Sequence, residues 1–268
     1  MEAGKVTFAG AGPGAADLIT VRGLNAVKEA DVIIYAGSLV DPAIMAEART
    51  DCEISSSAGM DLGVMVEAMT EACRAGKTVL RLHTGDPSIY GAIAEQMSEL
   101  DKNDIEYDVI PGVSSAVAAA GVMNAELTMA GLSQTVIFTR RAGRTPVPKG
   151  QDIVSLSKHN ATMCIFLSIG DMEGLVADLL EGGFTNETCI GVVYRATWDD
   201  EIVLEGTLAD ICPKVKEAGI TKHAMIIVGD VLRRAGNYSL LYNAHFSHGY
   251  RDGTSKKRKK AAAEQAKD

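Results

Sequence analysis

The chain has 268 residues, 47% of them hydrophobic and 23% charged, and a formal net charge of −9. The charge is uneven: residues 251–268 hold seven basic and three acidic side chains, a net +4, which leaves −13 on the remainder. An acidic body with a basic tail argues against a general nucleic-acid binder, because affinity for polyphosphate comes from a basic face, and the apolar content excludes a disordered chain.

The length allows one large domain or two of ordinary size. Five cysteines stand at 52, 73, 164, 189 and 212, none spaced as a C-x-x-C pair. They read as buried free thiols of a reducing compartment. The N-terminus shows no basic segment followed by an apolar one, and no apolar run reaches the ~20 residues of a membrane span. The expectation is a soluble, cytoplasmic protein.

In chain order, strands are predicted at Val6–Ala9, Val32–Tyr35, Cys52–Ser55, Val79–His83 and Tyr107–Ile110. Helices are predicted between them, at Thr20–Glu29, Pro42–Ala48, Leu62–Ala75 and Ser88–Leu100. Gly76 stands where a left-handed helix end is wanted. Strand–helix alternation with continuous apolar strands implies a five-stranded parallel sheet covered on both faces. Residues 113–133 read as a short helix and a connector.

Beyond them, strands are predicted at Thr135–Thr139, Met163–Ser168, Cys189–Tyr194, Ile202–Glu205 and Ala224–Val228, with helices at Met172–Glu181 and Leu208–Glu217. The short 194–202 connection implies a hairpin, and hence a mixed second sheet. The fold class is therefore α/β, with two α/β domains. The first spans 1–112, a connector 113–133, the second domain 134–235, and an extension 236–268 ends in a basic disordered tail. A cleft between the domains is the expected ligand site.

The first strand runs into Gly10-Ala11-Gly12-Pro13-Gly14. A dinucleotide fingerprint needs a further glycine at 15, where alanine stands, and Pro13 removes an amide that a pyrophosphate would use. The turn suits a less anionic ligand, or is an ordinary strand–helix turn. The fourth strand ends in Thr84-Gly85-Asp86-Pro87, which holds Asp86 extended before proline. Asp86 either projects into a site or caps a helix starting at Ser88. The fifth ends in Pro111-Gly112-Val113-Ser114-Ser115, whose hydroxyls are capping candidates. Three such loops at strand carboxyl ends would line one crevice. The histidines show no convergent ligand set, so no metal site is expected. Arg140, Arg141, Arg144 and Lys149 form the one dense basic patch of the acidic body. They are either a solvated loop or a clamp for carboxylates.

These motifs, in this order, resemble the tetrapyrrole methyltransferase family. The matching pieces are Gly10–Gly14 followed by Asp17-Leu18-Ile19-Thr20, then Thr84-Gly85-Asp86-Pro87, then Pro111–Ser115, and the likeness runs to about Val231. Tyr35-Ala36-Gly37-Ser38-Leu39-Val40, and the ending Leu241-Tyr242 with Phe246–Arg251, resemble the branch that methylates precorrin-4 or its cobalt complex at C11. The resemblance implies a homodimer that binds S-adenosylmethionine between two domains and acts on a small-molecule tetrapyrrole, without metal, membrane or nucleic acid. It implies cofactor contacts from Pro13, Thr84, Gly85, Asp86, Ile89, Ser114, Ser115, Leu167, Ala196 and Ala224. Asp86 becomes the candidate catalytic residue, to orient the substrate or accept a proton. Tyr35, Ser38, Arg140, Arg141, Arg144 and Lys149 become candidates for the substrate. Where many relatives have Gly-Gly-Asp-Pro, this chain has threonine at 84. Methylation at another position (C17, C20, or C2/C7 of uroporphyrinogen III) and a non-catalytic S-adenosylmethionine-binding module are the alternatives.

Overall fold

The computed structural model describes residues 4–233, 243–254, 256 and 257, apart from the side chain of Ser38. Two compact units emerge: Met1–Asn124 with Val192–Leu204 and Gly219–Met225, and Ala125–Gly191 with Glu205–Ala218 and Ile226–Asp268.

In the first unit, strands β1 (Val6–Gly10), β2 (Val32–Tyr35), β3 (Glu53–Ser56), β4 (Val79–His83) and β5 (Tyr107–Ile110) form one sheet in the order β3-β2-β4-β1-β5. Every pairing is parallel. Helices α1 (Val21–Glu29), α2 (Pro42–Met45), α3 (Leu62–Arg74) and α4 (Ile93–Lys102) connect successive strands, and α5 (Ser115–Val122) follows β5. Phe8, Ile34 and Val79 pack on Met65, Met69 and Leu100 of α3 and α4, while Ala9, Ile33 and Leu82 pack with Val27 and Ile44 of α1 and α2. Both faces are thus covered, which is why all five residues of β4 are buried. Each buried large apolar side chain contributes about 1.5–3 kcal/mol.

Local chemistry sets the helix ends. Thr20 is the cap of α1, its Oγ1 accepting the amide of Gly23, so α1 begins one residue later than predicted. Helix α3 closes with Gly76 at φ 78° and the amides of Gly76 and Lys77 donating to Cys73 and Ala72 carbonyls, a Schellman ending. The largest correction is α4, which starts at Ile93 rather than Ser88. Residues 87–90 form a turn, and Tyr90 (φ 54°) and Ala92 (φ 51°) are left-handed, which breaks the helical path. Helix α2 is also shorter than predicted, ending at Met45.

The second sheet has the order β6-β7-β10-β8-β9, from β6 (Val136–Arg140), β7 (Thr162–Phe166), β8 (Cys189–Tyr194), β9 (Ile202–Thr207) and β10 (Ala224–Val228). It is mixed: β6 and β7 are parallel, β7 and β10 antiparallel. Strands β8 and β9 are neighbours, as the hairpin reading requires. The helices are α6 (Ile153–Ser157), α7 (Met172–Glu181) and α8 (Ile211–Glu217). The sequence reading overlooked α6, five residues capped by Asp152, because it is too short to show periodicity. Residues 143–150 carry no helix or strand. The first residues of the expected tail bond backwards: Arg251 N donates to His248 O (3.0 Å) and Thr254 N to Ala244 O (3.0 Å). Leu241, Tyr242 and the tail from residue 258 lie outside the described residues. Among the described residues no helix is long and apolar enough to cross a membrane.

Candidate active site at the carboxyl ends of three strands

Strands β4, β1 and β5 are parallel neighbours, so their carboxyl ends deliver three loops side by side. In such sheets this is where ligands bind. Glycines let the loops touch. A Cβ at Gly10 would stand 2.3 Å from Gly85 O and 2.6 Å from Gly112 Cα; one at Gly112 would stand 2.2 Å from Gly85 O. The obstructing atoms are backbone and cannot rotate away, so only glycine is accommodated. Gly12 and Gly85 exchange two hydrogen bonds, 3.3 Å from Gly12 N and 2.7 Å from Gly85 N. Both are left-handed, at φ 86° and 63°.

Asp86 joins the second loop to the third. Its Oδ1 accepts the amide of Ser88 and its Oδ2 the amide of Gly112, each at 2.8 Å. Asp86 therefore closes a turn and bridges two loops, and the helix-cap reading is replaced. Ser114 caps α5, accepting the amide of Ala116 at 3.4 Å.

Several amides of these loops are already used within the protein. Ala11 N donates to His83 O, Gly12 and Gly85 to each other, Ser88 and Gly112 to Asp86, and Ala15 N to Thr197 Oγ1. A phosphate-binding loop instead directs several amides at its ligand.

A fourth segment reaches the first loop. The 195–201 connection between β8 and β9 belongs to the first unit. Ala196 is buried there between left-handed Arg195 (φ 45°) and Thr197 (φ 71°). Arg195 N donates to the carbonyl of His223 (φ 59°), the residue before Ala224. Such conformations cost of order 1–3 kcal/mol each in non-glycine residues and gather at functional sites.

Two further residues were not selected from the sequence. Arg81 and His83 are buried in β4, directly before the second loop. Arg81 donates through Nε to Gln96 Oε1 (3.2 Å) and through Nη1 to Ile34 O (3.1 Å), and burial pulls its pKa down to about 10. His83 Nε2 has no hydrogen-bond partner. Burial, and then the charge of Arg81, push its pKa down to about 3, so the ring is neutral. The available signal was two titratable residues in an otherwise apolar strand.

Pro13, Thr84, Gly85, Asp86, Ile89, Ser114, Ser115, Ala196 and Ala224 all belong to the first unit. Leu167 belongs to the second, 76% exposed and left-handed (φ 54°) just after β7. Tyr35 ends β2 and is half-buried; the side chain of Ser38 lies outside the described residues. The basic patch divides. Arg141 is committed to Asp171 and Asp178. Arg140 donates to the carbonyls of Thr145 (3.1 Å) and Pro146 (2.8 Å), holding its own loop. Arg144 and Lys149 are exposed and make no ion pair among the described residues. No group of three or more His, Cys, Asp or Glu able to hold a metal occurs among the described residues.

Residues 5–212 match the family of Tetrapyrrole (Corrin/Porphyrin) Methylases. The chain belongs to the tetrapyrrole methylases. A cobalt-precorrin-4 C(11)-methyltransferase of Methanocaldococcus jannaschii is 50% identical over 253 residues, spanning 94% of this chain and 98% of that protein. The solved structure of a cobalt precorrin-4 methyltransferase, a cobalamin biosynthetic enzyme, superposes with a TM-score of 0.83 at 43% identity, covering 85% of this chain and 95% of the other. A uroporphyrin-III C-methyltransferase from Thermus thermophilus, solved with S-adenosylhomocysteine, gives a TM-score of 0.71 at 25% identity, covering 88% and 96%.

Proposed function

We propose that this chain methylates C11 of cobalt-precorrin-4 with S-adenosylmethionine, in the building of the corrin ring of cobalamin. The observation that carries the reading is the contact of three strand-end loops through Gly10, Gly85 and Gly112 at the carboxyl ends of neighbouring parallel strands. The names of the 50%-identical relative and of the 43%-identical structure favour the cobalt-bearing substrate.

S-adenosylmethionine, when bound, supplies a methyl group on a sulfonium that an electron-rich ring carbon displaces in line. The protein's part is then alignment and exclusion of water. Good alignment alone lowers such barriers by on the order of 7–11 kcal/mol. Pro13, Thr84, Gly85, Ile89, Ser114, Ser115, Leu167, Ala196 and Ala224 are proposed to hold the donor. Asp86, with both oxygens accepting amides, is proposed as the group that fixes the second and third loops around it. Neutral His83 adds no charge beside a cationic donor. Arg144 and Lys149 offer cations to the carboxylates of the tetrapyrrole, with Arg140 and Arg141 shaping the segment that carries them, and Tyr35 and Ser38 contributing from the end of β2. We further propose a homodimer working in the cytoplasm, where the five unpaired cysteines stay reduced.

The test is to incubate the enzyme with S-adenosylmethionine and the trimethylated precursor, with and without cobalt in the ring, and to determine product mass and methyl position. One added methyl at C11 on the cobalt form is expected. Methylation of the metal-free ring alone, or at another carbon, overturns the assignment.

A further inference from the structure

The first loop is tied to a segment about 180 residues away in sequence. Trp198, the single tryptophan of the chain, donates from Nε1 to the carbonyl of Pro13 at 3.1 Å. Two residues on, Ala15 N donates to Thr197 Oγ1 at 3.0 Å. Gly14 is glycine for a steric reason, since a Cβ there would stand 2.4 Å from Trp198 Cδ1 and 2.5 Å from Nε1. Pro13 has no amide hydrogen, so its carbonyl is its one strong polar group, and the indole takes it.

The indole is itself held. The Arg195 guanidinium stacks over it, 4.2 Å from the ring centroid, and pairs with Asp200 at 3.0 Å. Thr197 N donates to Glu201 Oε2 at 2.6 Å, and Trp198 N to Arg195 O at 3.0 Å. Left-handed Arg195 and Thr197 show that the surrounding bonds impose this turn against local preference.

We propose that Trp198 is a positioning residue: clamped by Arg195 and Asp200, it sets the Pro13 carbonyl and so the shape of the first loop around the methyl donor. This rests on the reading that the Pro13 loop binds S-adenosylmethionine. A cation stacked on the indole and a carbonyl at its N–H make Trp198 emission sensitive to any shift of the loop.

The experiment titrates S-adenosylhomocysteine into the full-length protein by calorimetry for wild type, Trp198→Phe, Gly14→Ala and the double variant, and by Trp198 fluorescence for wild type and Gly14→Ala, with thermal melts of each. Wild type should bind with a change in emission. Trp198→Phe should weaken binding about fivefold, the worth of one hydrogen bond. It should also raise KM for S-adenosylmethionine with little change in kcat. Gly14→Ala should bind more weakly still. The double variant should be weakened less than the product of the two, because a methyl group on residue 14 already displaces the indole from Pro13 and the two changes act on one contact. Wild-type affinity in Trp198→Phe, effects that multiply, or emission unmoved at saturation would overturn the role of Trp198 while leaving the donor site standing. A wild-type protein that binds no S-adenosylhomocysteine would overturn both. The wild-type fluorescence titration decides the matter even where a variant fails to fold.

Discussion

The carboxylate of Asp86 accepts the amide hydrogen of Gly112 at 2.8 Å, across 26 positions of sequence. Its other oxygen holds Ser88 N, so one side chain fastens the loop after β4 to the loop after β5. An acidic residue in a methyl-transfer site invites a role as proton acceptor. Here each oxygen already accepts one backbone amide, and we propose that its effect on catalysis runs through loop geometry.

Replacing Asp86 by Asn should separate these roles. Asn keeps a carbonyl for Ser88 but turns an NH2 toward the Gly112 amide, donor against donor. Hydrogen bonds to charged groups are worth about 1.5–3 kcal/mol, so Asp86→Asn should weaken S-adenosylhomocysteine binding about tenfold or more, and Asp86→Ala further. Calorimetry reads this without turnover. Unchanged donor affinity with lost kcat would restore Asp86 to the chemistry itself.

Gly10→Ala and Gly112→Ala should be among the most damaging methyl additions in the chain. Each new Cβ meets the Gly85 carbonyl at 2.3 or 2.2 Å. Overpacking of this kind costs about 1–3 kcal/mol, so the midpoint of thermal unfolding should fall by several degrees, with donor binding lost. Gly121→Ala, in helix α5 where an added Cβ meets nothing within 4 Å, is the control expected to melt no lower than wild type.

His83 predicts a pH dependence of stability. Its folded pKa of about 3 lies below the ordinary value of 6.5, because of burial and then Arg81. Between those values the unfolded chain binds a proton that the folded chain refuses. Stability is therefore undiminished above about pH 6.5 and falls as pH drops, by up to about 1.4 kcal/mol per unit. His83→Leu should be close to neutral at pH 7, since Nε2 has no partner to lose. Urea unfolding from pH 7 to pH 4 should show a shallower decline in that variant; equal slopes would remove His83 as the cause.

The basic segment should respond unevenly to substitution. Arg144→Ala and Lys149→Ala should raise KM for the tetrapyrrole about threefold to tenfold, more at low salt, and leave the melting midpoint unchanged. Arg141→Ala removes the pairs to Asp171 and Asp178 and should cost about 1 kcal/mol of stability, their partial exposure limiting the effect. Steady-state kinetics and melts on the three variants distinguish the assignments.

The two sheets and most element positions were legible because their signals are local: β4 is apolar throughout since both faces are covered, and Gly76 marks the end of α3 because only glycine takes φ 78° cheaply. The start of α4 was not legible. Gly91 is a weak local signal against a helix over 88–92, but what stops it is a turn fixed by Asp86 and by left-handed Tyr90 and Ala92. The basic patch was legible as charge but not as function, since nothing local says that Arg141 meets Asp178, 37 residues on.

The sequence by itself determined the α/β class, the order of the strands along the chain and the three glycine-bearing loops, because periodicity and turn chemistry depend on neighbours within a few residues. Only the tertiary structure decided that β4, β1 and β5 lie side by side, that Gly10, Gly85 and Gly112 touch, and that Trp198 holds Pro13. Strand order within a sheet and contacts between distant loops are settled by which faces can be buried together, a property of the whole chain that no single segment carries.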